Sequence, residues 1–251
     1  MYKKNRELLA RIVYFVTREG IPMICQNNGW MDSAMLSVVV GHFGSGKTEF
    51  SVNLALALGA LHTPVALADL DVVDPYFRSR ECAPVLEAAG IRVISSANTC
   101  RDADLPSMPA EVNVLMDNPE LWGVLDIGGD PSGARVLARY RRALAERKAR
   151  LLCVINANRP LSDTADKCID YVRRIEAACG MAVDGLVNNT HCCHLTEVAD
   201  VLAGAAMARE VSEKTGIGVL CHCVPRHLYD EAAAQLENVF PMDLYMKKPW
   251  E

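Results

Sequence analysis

From residue 36 onward, short apolar runs alternate with longer stretches of helical periodicity. The apolar runs are Leu36–Gly41, Pro64–Asp69, Ile91–Ser95, Leu121–Ile127, Leu151–Asn156, Val183–Asn188 and Ile217–Cys221. Several are apolar without interruption, the pattern of strands buried on both faces. Helices are predicted over Lys47–Leu61, Gly133–Lys148, Ser162–Cys179, Glu197–Thr215 and Tyr229–Asn238. This alternation predicts an α/β fold, a mainly parallel sheet with helices on both faces. Such sheets bind ligands at the carboxyl ends of their strands, so the chemistry is expected in the loops after the apolar runs.

Two stretches break the pattern. Ser96–Glu120 reads as a long loop with a short helix, either a surface connection or a mobile segment near a ligand or partner. Residues 1–34 form an N-terminal extension in which Glu7–Arg18 fits an amphipathic helix followed by a loop through QNNGW. That extension reads as a packing arm, as an over-extended start with Met35 an alternative initiator, or as a membrane-surface anchor. Residues 35–251 are expected to form a single domain, and there is no internal repeat or low-complexity segment.

The first strand runs into Gly41-His42-Phe43-Gly44-Ser45-Gly46-Lys47-Thr48, which matches G-x-x-x-x-G-K-[ST]. Glycines let main-chain N–H groups turn inward around phosphates, and the helix that follows adds its positive end. Lys47 reaches terminal phosphates, and the Thr48 hydroxyl is a ligand for Mg²⁺. The spacing differs from that of a dinucleotide-binding loop. A second acid is needed near the metal. Asp126 ends the run Leu121–Asp126 and is followed by Ile127-Gly128-Gly129-Asp130-Pro131, where the glycine pair lets the backbone pass close to the γ-phosphate. Asp69 and Asp71 end another strand. Their side chains point the same way in an extended chain, and two acids beside a triphosphate need Mg²⁺ or water chemistry to justify them.

Composition narrows the reading without changing it. The net charge is −5 with no basic block, so nucleic acid is not the expected partner. No apolar run approaches the roughly 18 residues of a membrane span, and the N-terminus lacks a secretory signal. The ten cysteines then read as mostly reduced thiols of a cytoplasmic protein. His191-Cys192-Cys193-His194 and Cys221-His222-Cys223 offer four thiols and three imidazoles for zinc or an iron–sulfur cluster. Cys-Cys and C-x-C are poor chelate spacings, and cysteine also serves as a small core residue. Tyr76–Glu81 reads either as a nucleotide-sensing switch, with Arg78 or Arg80 on phosphate or a partner, or as surface ion pairs.

The loop at 41–48, the DLD at 69–71 and the DIGGD at 126–130 together resemble the MinD/ParA-type branch of the SIMIBI class of P-loop NTPases, which includes CobQ/CobB and Mrp-like relatives. The resemblance covers roughly residues 35–225. It implies ATP and Mg²⁺ as ligands, with Asp71 positioning the attacking water and Lys47 on the phosphates. Thr48, Asp69 and Asp126 would surround the metal. Gly41 to Thr48 and the adjacent Glu49 would hold the nucleotide, with Asn188 or Asn189 against the base and Asn188 preferred. The family's loop reads K-G-G-x-G-K-[ST]. Here His42 stands at its first lysine and Phe43 replaces a glycine, so the trans-acting lysine is not read across and His42 is expected to be a spectator. The C-x-x-C pair of Mrp-like relatives is absent. Adenine is preferred by resemblance, because NNTH stands where a guanine-reading N-K-x-D would. The implied activity is slow ATP hydrolysis that switches an unknown protein partner, with a nucleotide-dependent homodimer open. Phosphoryl transfer to a small-molecule acceptor, kinase- or synthetase-like, and a metal or iron–sulfur carrier are the alternatives.

Overall fold

The computed structural model of the chain describes residues 12–16, 22–26, 29–71, 79–95 and 111–246. Strands β1 (Ile12–Val16) and β2 (Pro22–Gln26) form an antiparallel pair of their own. This corrects the helix expected over Glu7–Arg18. Residues 12–16 read IVYFV, all β-branched or aromatic, and such residues prefer a pleated surface. Pairing with β2 satisfies their backbone, and the helical periodicity loses.

The main body follows in chain order. It contains β3 (Leu36–Gly41), α1 (Lys47–Leu61), β4 (Val65–Leu70), α2 (Ala83–Ala88), β5 (Arg92–Ser95), α3 (Val112–Asp117) and β6 (Trp122–Ile127). Then come α4 (Pro131–Glu146), β7 (Arg150–Ile155), α5 (Ala165–Cys179), β8 (Gly185–Asn188), α6 (Val198–Thr215), β9 (Val219–Pro225), α7 (Tyr229–Ala233) and β10 (Val239–Met242). Eight strands make one sheet in the order β10-β9-β8-β7-β3-β6-β4-β5, and every neighbouring pair is parallel. The expected α/β architecture with helices on both faces is the observed one.

Alternation along the central strand divides the core in two. Leu36, Val38 and Val40 face a cluster with α3, α4, α5 and α6, whereas Val39 faces Phe50, Leu54 and Leu58 of α1. All six residues of β3 and all six of β4 are buried, as strands covered on both faces require. Because β7, β3, β6 and β4 are consecutive in the sheet, the loops after them open side by side. The connection after β3 runs to β4 on one side and the connection after β7 runs to β8 on the other, which makes the carboxyl ends of these two neighbouring strands the switch point where ligands of doubly wound sheets bind.

Three elements differ from the sequence reading. Helix α7 stops at Ala233, short of Asn238, and the chain turns into β10, an eighth strand that was not expected. Its four residues are too short a run to stand out, and Pro241 sits on an edge strand, the place in a sheet that tolerates a missing N–H. Strand β9 continues to Pro225. Of the loop read over Ser96–Glu120, residues 96–110 lie outside the described residues, and α3 is its short helix. Among the described residues no helix is long and apolar enough to cross a membrane.

Helix α6 crosses the end of β8 at very close range. A Cβ on Gly204 would lie 2.1 Å from the Thr190 hydroxyl and 2.4 Å from the Asn188 side-chain oxygen. Neither atom can retreat without breaking the hydrogen bond between them. Gly204→Ala is therefore expected to destabilise the protein by about 1–3 kcal/mol, read as a lowered urea midpoint at unchanged m-value.

Candidate functional site

The site is built from the ends of β3, β4 and β6. After Gly41 the chain makes a tight loop whose Gly44 and Gly46 have φ of +76° and +80°, conformations that a side chain would strain. A turn bond from the Ser45 N–H to the His42 carbonyl closes the loop, and α1 begins at Lys47 with Gly46 as its N-cap. Lys47 is buried and its Nζ lies 3.0 Å from Oδ2 of Asp71, just past β4. Asp69 accepts the main-chain N–H of Asp71 and pairs with Arg80 at 3.3 Å. Asp126, at the end of β6, accepts a hydrogen bond from Ser51 at 3.3 Å, while its Oδ2 is buried with no hydrogen-bond partner.

The glycine pair after β6 closes the space beside the loop. A Cβ on Gly129 would lie 3.0 Å from the Phe43 nitrogen and 3.1 Å from the Gly41 carbonyl oxygen, and one on Gly128 would lie 3.1 Å from the Asp71 carboxylate. Asp130 is the N-cap of α4, accepting from the Gly133 N–H at 2.6 Å. The structure thus brings Lys47, Thr48, Asp69, Asp71, Asp126 and the Gly128–Gly129 pair together.

Burial pushes the Asp126 carboxyl up to about 7; the Lys47 charge and the Thr48 hydroxyl act against burial, and Asp69 and Asp71 act with it. Burial likewise raises Asp69, partly offset by Arg80. An acid this poorly compensated, with one oxygen unsatisfied and the Thr48 side chain beside it, is a donor set that suits a hard cation ligated by oxygen. Among the described residues no group of three His, Cys, Asp or Glu side chains could hold a metal by itself. Mg²⁺ does not need one, since it keeps several waters and takes phosphate oxygens.

Other sequence candidates have different placements. The His42 ring packs at a tilt of 36° against Tyr171 of α5, ring centroids 3.9 Å apart. Burial, then the Arg174 charge, lowers its pKa against the opposing Asp170, so the imidazole is neutral at pH 7. The Tyr171 hydroxyl reaches the Gly129 carbonyl. Phe43 stands at the loop tip, 62% exposed. Glu49 faces away from the loop; its carboxylate accepts the N–H groups of Tyr245 and Met246, and burial lifts it to about 7.

Asn188 is fully buried and saturated. Its amide donates to the Val201 carbonyl and pairs with His222, and its oxygen accepts from the N–H and hydroxyl of Thr190. A primary amide has no further capacity. Asn189 instead donates to the Ser45 carbonyl at 2.9 Å, inside the loop's own network. The Cys and His motifs are likewise used internally. His191 Nδ1 accepts the Cys193 N–H, His222 serves Asn188, and Cys221 and Cys223 are buried in the core. Both pairs, Cys192 with Cys193 and Cys221 with Cys223, are free thiols. Arg78 lies outside the described residues.

The sequence reading missed Ser51, Tyr171, Asn156 and Arg159. Ser51 is one helical turn beyond Lys47 and so shares its face. Asn156 and Arg159 follow β7 and donate to the Gly44 carbonyl at 3.4 and 2.9 Å, positions that the strand-end rule points to. Beside the site, loops after β8, β9 and β10 enclose a groove of about 510 Å³ lined by Cys193, His194, Pro225, Arg226, His227 and Asp243.

No family model and no curated protein matches the chain. Among solved structures, the cell division protein FtsY from Thermotoga maritima matches with 20% identity and a TM-score of 0.52, over 74% of this chain and 60% of that one. Signal recognition particle 54 kDa protein from Aeropyrum pernix K1, in complex with GDP, matches with 21% identity and a TM-score of 0.49, over 75% and 41%. This chain therefore spans less than two thirds of the length of either. The FtsY match shows a shared fold, an α/β architecture built on a parallel sheet.

The two raised acids fix a pH dependence. From their ordinary values of 3.8 and 4.5 up to about 7, Asp126 and Glu49 keep a proton in the folded protein that the unfolded chain has lost. Their stabilising contribution is complete below that window and is lost as the pH rises through about 7. The slope is on the order of 1 kcal/mol per pH unit for each group. The metal-free protein is expected to unfold at lower urea at pH 7 than at pH 5.5, and Asp126→Asn to flatten that slope, as urea midpoints across the range would record.

Proposed function

We propose that the chain binds Mg·ATP at the carboxyl ends of β3, β4 and β6 and hydrolyses it slowly, as a MinD/ParA-like switch acting on a protein partner. The observation that carries this reading is the buried Lys47–Asp71 pair, set in an acid cluster and walled by Gly128 and Gly129 against the loop. An apolar or purely structural turn has no need of a desolvated lysine there.

Each side chain then has a defined task. Lys47 exchanges Asp71 for the terminal phosphates. Asp71, released beside Gly128, orients the attacking water. Thr48, Asp69 and Asp126 would surround Mg²⁺. Bound there, the metal would supply neutralisation of the charge that builds on the leaving group. The Gly128–Gly129 backbone lies against the loop where the γ-phosphate would end, so a main-chain N–H can sense it. Positioning and electrostatic stabilisation of this kind are most of what phosphoryl transfer to water requires.

The base is proposed to lie toward the groove after β8 and β9, with Asn189 rather than the saturated Asn188 as its side-chain contact. The GDP of the Aeropyrum structure raises guanine as the other choice. Guanine presents two N–H donors on one edge and is best met by a carboxylate. Here Asn189 is followed by Thr190, His191 and Cys192, and the groove's Asp243 is held by Arg226 at 2.9 and 2.7 Å. Adenine fits this environment better.

Phosphate release from Mg·ATP by the purified protein tests the reading. Lys47→Ala is expected to lose at least about 100-fold in turnover, chelation of Mg²⁺ to abolish it, and Mg·GTP to be the poorer substrate. Turnover that rises faster than protein concentration marks a nucleotide-bridged homodimer. Equal rates for wild type and Lys47→Ala would remove the loop as the source of activity.

A further inference from the structure

Strand β7 is the sheet neighbour of β3, with Val154 opposite Gly41, so the loop after β7 rises directly beside the phosphate loop. That second loop is stiff. The Asn156 side chain accepts the Asn158 N–H at 2.9 Å, the Arg159 N–H reaches the Asn156 carbonyl, and the Ser162 N–H reaches the Arg159 carbonyl at 2.9 Å. The Ser162 hydroxyl closes it again on the Asn156 carbonyl at 2.7 Å. Arg159 is thereby presented to the loop tip from a fixed backbone. Its Nε donates to the Gly44 carbonyl at 2.9 Å, and a Cβ on Gly44 would meet Nε at 3.1 Å and Cζ at 3.5 Å.

The charges nearby divide unevenly. Lys47 is matched by Asp71, and Arg80 by Asp69. Among the described residues no carboxylate forms an ion pair with Arg159, and Nε makes the only hydrogen bond of its side chain. A guanidinium carries five donors in a planar fork, so the two terminal nitrogens stay available at the rim. Its charge is felt across the loop at His191, whose Nε2 would lie 2.8 Å from a Cβ on Gly46. Position 42 is a poor source of further charge, because burial against Tyr171 lowers the pKa of its imidazole.

We propose that Arg159 is a second cationic arm of the phosphate loop, placed to bind the polyphosphate chain of the nucleotide alongside Lys47. This rests on the reading of the loop as a nucleotide site. The Nε bond to Gly44 fixes the guanidinium at the rim, and the terminal nitrogens take phosphate oxygens, the geometry at which arginine exceeds lysine.

The test is equilibrium binding of Mg·ATP and Mg·ADP to the full chain at low and high salt, for wild type, Arg159→Gln, Arg159→Lys and Lys47→Ala. Arg159→Gln is expected to weaken both nucleotides about tenfold at low salt and to flatten the salt dependence, because one screened charge is gone. Arg159→Lys is expected to recover the salt dependence and part of the affinity. A purely structural role would lower the urea midpoint and leave the salt slope of the wild type in place. Wild-type affinity and salt slope in Arg159→Gln, with Lys47→Ala impaired, would overturn the proposal and leave the nucleotide site standing. Unchanged binding in Lys47→Ala would overturn both.

Discussion

The ion pair between Lys47 and Asp71 organises the strand ends. Three acids, Asp69, Asp71 and Asp126, are buried within reach of one another's charge, and burying an uncompensated carboxylate is costly. Lys47 offsets one of them fully and eases a second. Arg80 serves the third. What is left over falls on Asp126, which keeps its proton up to about 7. A buried pair of this kind is seldom worth much as a stabilising device, since an apolar pair of the same size would do as well. Under the proposed function its use is that it can be exchanged: a ligand carrying negative charge and a cation would take over both halves.

The loop that presents Lys47 is held from outside. Arg159 and Asn156 draw the Gly44 carbonyl outward, and Asn189 draws the Ser45 carbonyl outward. In a trans peptide the N–H points opposite to the carbonyl. The bond from Asn189 therefore turns the Gly46 N–H into the hollow of the loop. The cradle is shaped by side chains from the loops after β7 and β8 as much as by its own glycines. Tyr171 holds the other side, with its hydroxyl on the Gly129 carbonyl and its ring under His42.

The parallel sheet and most of its elements were legible in the sequence, because strands buried on both faces write themselves as unbroken apolar runs such as VVV at 38–40. That the 41–48 loop and the acids of β4 and β6 would meet at the strand ends was legible because each directly follows or closes an apolar run. What escaped depends on long-range packing. Asn188 looked like a ligand contact, yet His222 and Val201, more than a dozen residues away, consume its amide. Glu49 looked like part of the loop, yet helix geometry turns it toward residues 245 and 246. The hairpin at 12–26 hid because a five-residue β-prone run sat inside a pattern that also fits a helix. Strand β10 hid because four residues carry too little periodicity.

The bonds of Glu49 have a consequence for the order in which the molecule can be completed. Its carboxylate is satisfied by main-chain groups 196 and 197 positions later, and Asn53, one turn on, is bonded both ways to the backbone of Asp243. While the ribosome is still synthesising the chain, helix α1 has its apolar partners in β3 and β4 but not these polar ones. The helix that begins at the 41–48 loop thus gains these polar contacts only once residues 243–246 have emerged.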